Sequence, residues 1–124
     1  MQIKIEIQGS IPSKKNGKLM ICRPYPRLIS KPEYQRWKNY QILCLKRYRL
    51  DKPIEKCEIE FKYWAKDKRR TDGDNKDTTI LDLLVDCEII KDDSWFCIRK
   101  RVSELIDIDK ENPRVEILIK VIPC

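Results

Sequence analysis

The stretch Thr71–Asp93, TDGDNKDTTILDLLVDCEIIKDD, decides how the chain is read. Ile80, Leu83, Leu84 and Cys87 recur at i, i+3, i+4 and i+7, the period of an amphipathic helix, which this spacing predicts over about 75–87. Two carboxylates, Asp72 and Asp74, stand just before it, and a second pair, Asp92 and Asp93, follows after Ile89–Ile90. In an extended segment residues i and i+2 project to one side, so Asp72 and Asp74 can share one cation. A helix of about twelve residues is roughly 18 Å long, so the two pairs meet only if the chain doubles back towards the helix start. Each pair also has an ordinary structural role. Asp74 suits an N-cap with Asp77 three residues on, and Asp92–Asp93–Ser94 is a turn signal.

Outward from this block the pattern is mixed. Gln2–Gln8 alternates Ile3, Ile5 and Ile7 with polar residues and predicts a strand. Gly9–Gly17 reads as a loop with two lysines, Leu19–Cys22 as a short strand, and Arg23–Arg27 as irregular because of its two prolines. Ser30, Pro32 and Glu33 make a helix start. The stripe Tyr34, Trp37, Ile42, Leu45 carries that helix over about 32–48. Ile54–Ala65 predicts a long strand with Cys57, Ile59, Phe61 and Tyr63 on one face. Trp95–Val102 and Val115–Ile122 predict two more strands. The order β-β-α-β-α-β-β points to one α+β domain over residues 1–124, a mixed sheet packed by two main helices.

The charge is uneven. Residues 1–50 hold 12 Lys and Arg against two acids, while residues 51–124 hold 15 against 18, within a formal net charge of +7. One half looks built for phosphates and the other for cations. A carboxylate cluster is unfavourable near a polyanion unless a hard divalent cation bridges carboxylate to phosphate. Histidine is absent, which removes the commonest general base and excludes Ser–His and Cys–His nucleophiles. The six cysteines form no C-x-x-C pair and are expected to be reduced, mostly as small core hydrophobes. No apolar run approaches the ~18 residues of a membrane span, and the N-terminus lacks a signal-like apolar region, so the expected location is cytoplasmic.

Asp72-Gly73-Asp74-Asn75, then Leu81-Asp82-Leu83-Leu84, then Asp92-Asp93, resembles the signature of RusA-type Holliday junction resolvases. Ile11-Pro12-Ser13-Lys14-Lys15-Asn16 is similar to the P-x-S-K-K-N loop that follows the first strand in that family, and the resemblance runs over essentially the whole chain. It implies a small homodimeric, Mg²⁺-dependent DNA endonuclease of mixed α/β fold, frequent in phages and prophages, with Mn²⁺ as a substitute. The family reaction leaves 5′-phosphate and 3′-hydroxyl ends by paired nicks across a four-way junction. By resemblance Asp72, Asp74 and Asp93 fall on the essential metal-binding carboxylates, and Asp92 on the adjacent acidic position. The family lysine four residues after the second aspartate is Thr78 here. Lys76, Lys91 or the Lys14–Lys15 pair are the candidates to supply that charge.

For DNA contact the candidates are Lys14, Lys15, Lys18, Arg36, Arg69 and Arg70, within basic regions that also include Arg23–Arg27 and Arg99–Arg101. Aromatic residues lie among them, with Trp37 and Trp64 expected in the core. Two other readings compete: a non-catalytic DNA-binding module of the same fold, and a flap or fork nuclease without junction preference. A dimer is expected to join through the N-terminal strand or the C-terminal strand Val115–Ile122.

Overall fold

A computed structural model describes residues 1–12, 18–21, 27–30, 32–68 and 73–123, with side chains described for 1–12, 32–68 and 76–123. Alternating isoleucines make Gln2–Gln8 the strand β1, with Ile5 and Ile7 buried and their neighbours exposed. Lys18–Ile21 (β2) and Arg27–Ser30 (β3) pair as an antiparallel two-stranded ribbon. β3 is absent from the sequence expectation. It begins at Arg27, the last residue of the stretch expected to be irregular. Ser30, expected as a helix cap, is its last residue and pairs with Lys18.

Pro32–Leu45 forms α1, and Lys46–Tyr48 continues it as one 3₁₀ turn, so the expected helix is present with a tightened end. Cys57–Ala65 is β4, Gly73–Asp86 is α2, Ile98–Ile108 is β5 and Arg114–Val121 is β6. α2 starts at Gly73, two residues earlier than the apolar stripe alone requires, and so includes Asp74. β5 differs most from expectation. Trp95 and Phe96 lie in the turn before it, and it extends to Ile108.

The main sheet has the order β1-β6-β4-β5. β6 is antiparallel to both β1 and β4, whereas β5 is parallel to β4, with α2 as the crossover between them. The result is a small single-domain α+β fold with a mixed four-stranded sheet and two helices. β6 is internal to the sheet, which corrects its expected role as an exposed edge; among the described strands β1 and β5 are the edges.

Only one face of the sheet is apolar. Ile5, Ile7, Cys57, Ile59, Phe61, Val115, Ile117 and Ile119 are buried there, against Leu45 of α1 and Ile80, Leu81, Leu83 and Leu84 of α2. The alternate residues Lys4, Glu6, Glu58, Glu60, Lys62, Glu116 and Lys120 face the other way, the half-solvated pattern of an antiparallel sheet. Lys38 of α1 joins the two helices through Asp82 at 3.4 Å and Asp86 at 2.6 Å on α2. Cys57, Cys87 and Cys97 are buried and Cys44 is exposed, all four as free thiols. Burial, reinforced by Cys97, pushes the Cys57 thiol up to about 12, so it stays protonated.

α2 ends in a Schellman-type stop. The Ile89 N–H donates to the Leu84 carbonyl at 3.0 Å, and Glu88 takes a left-handed φ of 59°. The chain then lies beside Ile54, three residues before β4: Ile90 bridges Ile54 in parallel, and the Lys91 N–H donates to the Ile54 carbonyl at 2.9 Å. This short return fixes where the second acidic pair falls.

Candidate functional site

α2 enters the fold at one end of the sheet. The last residues of β1, the first of β6 and the last of β4 share that end, since Gln8 pairs with Arg114 and Arg114 with Trp64. Ile11, which leads into the lysine loop, is also there, because the Lys76 ammonium donates to its carbonyl at 2.7 Å. Asp74 is the second residue of α2, a position where the helix dipole favours a negative charge. Its side chain, and all of Asp72, lie outside the described residues, as do Lys14, Lys15, Arg69 and Arg70 and the side chain of Lys18. The residues flanking those segments, Pro12, Lys68 and Gly73, are described.

Lys76 is half-buried, and burial lowers its pKa from the ordinary lysine range. Its bond to Ile11 ties α2 to the start of the lysine loop. Thr78, at the position of the family lysine, is exposed. Next to Lys76, the carboxylate of Asp77 is 1% exposed. It accepts hydrogen bonds from the Tyr63 hydroxyl at 2.5 Å and the Ser103 hydroxyl at 3.1 Å, and Arg101 Nε lies 4.0 Å away. Burial first, then the bond to Asp77, raises the Tyr63 phenol far above its ordinary value, so it remains a donor. This buried cluster was missed in the sequence as a site. Its signal was present: Asp77 precedes Ile80 by three residues and Leu84 by seven, on the buried stripe of α2.

Asp92 and Asp93 are at the other end. They follow the Ile54–Ile90 bridge and precede Cys97, whose carbonyl accepts from the Cys57 N–H at 2.8 Å. Cys57 opens β4, whereas Asp77 meets Tyr63, six residues further along. That much strand spans roughly 20 Å. The chain returns to α2 through β5, by Arg101 and Ser103, and not through the acidic pair. Both aspartates are exposed, and the Asp92 carboxylate accepts from the Asp93 N–H at 2.7 Å, the geometry of a turn. That backbone bond holds the Asp92 carboxyl below its usual range. Lys91 lies here too, 3.6 Å from Glu55, so it does not supply charge at the start of α2. Among the described residues no three potential ligands are close enough together to hold a metal ion.

The basic residues divide by role. Arg36 is exposed on α1. Lys38 is held between Asp82 and Asp86; burial works against its charge, and the bond to Asp86 outweighs it, so its pKa is raised. Arg49 pairs with Glu88, and Arg47 lies over the Tyr48 ring at 4.8 Å. Arg114 covers Trp64 at 4.0 Å, so Trp64 packs under a cation and not in the core, whereas Trp37 packs against the core and beside Tyr34. No helix among the described residues is long and apolar enough to cross a membrane. In comparison with known proteins, the chain matches no family model and no curated protein.

Proposed function

We propose that this chain is a Mg²⁺-dependent, structure-selective DNA endonuclease that cuts four-way junctions as a homodimer. The observation that carries the reading is the pairing of Asp72-Gly73-Asp74-Asn75 with Asp92-Asp93 around one amphipathic helix in a basic chain of +7. Carboxylate oxygens are the donors a hard cation takes, and Mg²⁺ when bound would supply charge neutralisation at the phosphate and an activated water. Asp72, Asp74 and Asp93, with Asp92 beside them, would hold it.

The separation of the pairs along β4 and β5 bears on how such a site is built. Within one chain Asp92–Asp93 follow the Ile54–Ile90 bridge, whereas Lys76, near the start of α2, reaches Ile11. Two subunits related by a two-fold axis, with their β5 strands antiparallel, would set the acidic pair of each beside the α2 start of the other. On this reading the homodimer would be part of the site as well as the source of two opposed cuts. The remaining residues have plain tasks. Lys76 keeps a positive group near the scissile phosphate, where it stabilises added negative charge. Lys14, Lys15, Lys18, Arg36, Arg69 and Arg70 neutralise DNA phosphates.

One observation favours a second reading, a non-catalytic DNA-binding module: the Asp92 carboxylate is engaged in its own turn. Incubation with a synthetic four-way junction, with and without Mg²⁺ or Mn²⁺, separates the two. Symmetric metal-dependent nicks with 5′-phosphate ends are expected. Tight binding without cleavage would establish the module instead, and equal cutting of flaps and forks would remove the junction preference.

A further inference from the structure

Among the described strands β5 is an edge of the main sheet, and it combines charge with exposed apolar side chains. Charged side chains and two register shifts interrupt it, as is common for edges, yet it also leaves Leu105 at 63% exposure and follows a turn with Trp95 at 90% and Phe96 at 82%. Val102, Ile106 and Ile108 are exposed as well. The other edge, β1, differs: Ile5 and Ile7 are buried in its own core, and Glu6 is taken up by Arg114 and Gln8.

The charge along β5 is polar in the vectorial sense. Arg99, Lys100 and Arg101 stand in its first half, Glu104 and Asp107 in its second. Such a strand is complementary to itself when two copies run antiparallel. Between its two register shifts β5 is regular from Lys100 to Leu105. There Lys100, Val102 and Glu104 share the face of Glu58, Glu60 and Lys62, while Arg101, Ser103 and Leu105 share the face of Ile59, Phe61 and Tyr63. A two-fold axis normal to the sheet pairs residues of the same face, which limits the registers. Centring it on Ser103 sets Glu104 against Val102, and centring it on Glu104 sets like charges together. Centring it on Val102 sets Lys100 of each copy against Glu104 of the other, with Val102 meeting itself and Arg101 meeting Ser103.

We infer that β5 is a self-pairing edge, and that two copies of this chain join β5 to β5 antiparallel about Val102 into a continuous eight-stranded sheet. The pairing would join the outer backbone edges of the two strands in one ladder. It also lays Trp95 and Phe96 of one copy beside the Leu105–Ile108 end of the other, where both lose contact with water. The inference rests on the homodimer in the functional reading and supplies the antiparallel sense its two-subunit site requires, but its evidence is the strand's own pattern.

Charge reversal tests it. Lys100→Glu, Glu104→Lys and the double variant are compared with the wild-type chain by sedimentation equilibrium, with thermal melts as a check on folding. Each single reversal turns two cross-subunit attractions into repulsions and should raise the dimer Kd at least ~10-fold. The double variant restores both pairs and should return to within about threefold of wild type. Within one chain Lys100 pairs with Glu58 and Glu104 with Lys62, so a purely intrachain effect would persist in the double variant and not be rescued. A monomeric wild type, single variants that dimerise like wild type, or a double variant as weak as the singles would each overturn the inference. Junction cleavage measured on the same proteins keeps the readings apart. A dimer that obeys the swap and cuts nothing loses only the nuclease, and an active dimer indifferent to it loses only this interface.

Discussion

The Tyr63 hydroxyl donates to the Asp77 carboxylate at 2.5 Å, across the boundary between β4 and α2. Asp77 is 1% exposed, and Tyr63, Ser103 and the nearby Arg101 are among the groups that answer its carboxylate. These partners come from both parallel strands, and the cluster therefore fixes the first turns of α2 against the sheet. It is the structural support beneath the helix start that carries Asp74.

Tyr63→Phe should cost about 1.5–3 kcal/mol of folding stability, because it leaves a buried carboxylate short of a donor. The pH response carries a second signature. The phenol's folded pKa is raised, so its contribution is complete below the unfolded value of about 10 and is lost as pH rises beyond it. The wild type should lose stability above about pH 10 more steeply than Tyr63→Phe. Urea melts from pH 7 to 11 measure both effects, and parallel pH profiles would show that Tyr63 is not so held.

Lys38 joins α1 to α2, and a double-mutant cycle measures that joint. Its side chain is 23% exposed and that of Asp86 39%, so solvent screens the pair in part. Lys38→Ala with Asp86→Ala should give a coupling energy of about 0.5–1 kcal/mol, falling in high salt. A coupling near zero would assign the contact to helix packing alone.

How far these features were legible follows from their range along the chain. Ile3, Ile5 and Ile7, the Cys57–Tyr63 face and the Ile80–Cys87 stripe declare their elements by local period, and each is found as an element with that face inward. β3 was not legible, because a four-residue strand next to two prolines gains its pairing from β2 and has no period of its own. The full length of β5 was hidden for a related reason: its alternation is blurred by two register shifts, and ten of its residues stay exposed. In the candidate site, Asp77 stood on a readable buried stripe, but its partners Tyr63 and Ser103 lie 14 and 26 residues away. The position of Asp92–Asp93 depends on the Ile54–Ile90 bridge, a contact no local pattern announces.

Glu88 offers a stability test with an opposite sign. It holds a φ of 59° after α2, a conformation that costs a residue with a Cβ about 1 kcal/mol and glycine little. Its exposed ion pair with Arg49 returns only a few tenths of that. Glu88→Gly should therefore stabilise the chain by about 0.5 kcal/mol, and Glu88→Ala, which loses the pair and keeps the strain, should not. Chemical denaturation of the three proteins decides it; a destabilised glycine variant would mean that the Arg49 pair outweighs the backbone.

Asp74→Asn should separate chemistry from binding. The amide keeps the shape of the side chain and loses the charge that holds a cation, so metal-dependent cleavage should fall to background. Affinity for the junction should hold or rise, because one negative charge near the phosphates has gone. Both proteins should show the same steep salt dependence, a loss of ~10³-fold between 50 and 200 mM salt if about six phosphates are neutralised. Reversal of Lys14 and Lys15 to glutamate should lower the affinity and flatten that slope together, since fewer counterions are then released on binding. The measurements are binding isotherms at several salt concentrations beside cleavage assays on the same junction. An Asp74→Asn protein that cuts at the wild-type rate would remove the metal assignment, and a salt-independent affinity would remove the phosphate contacts on which the DNA reading depends.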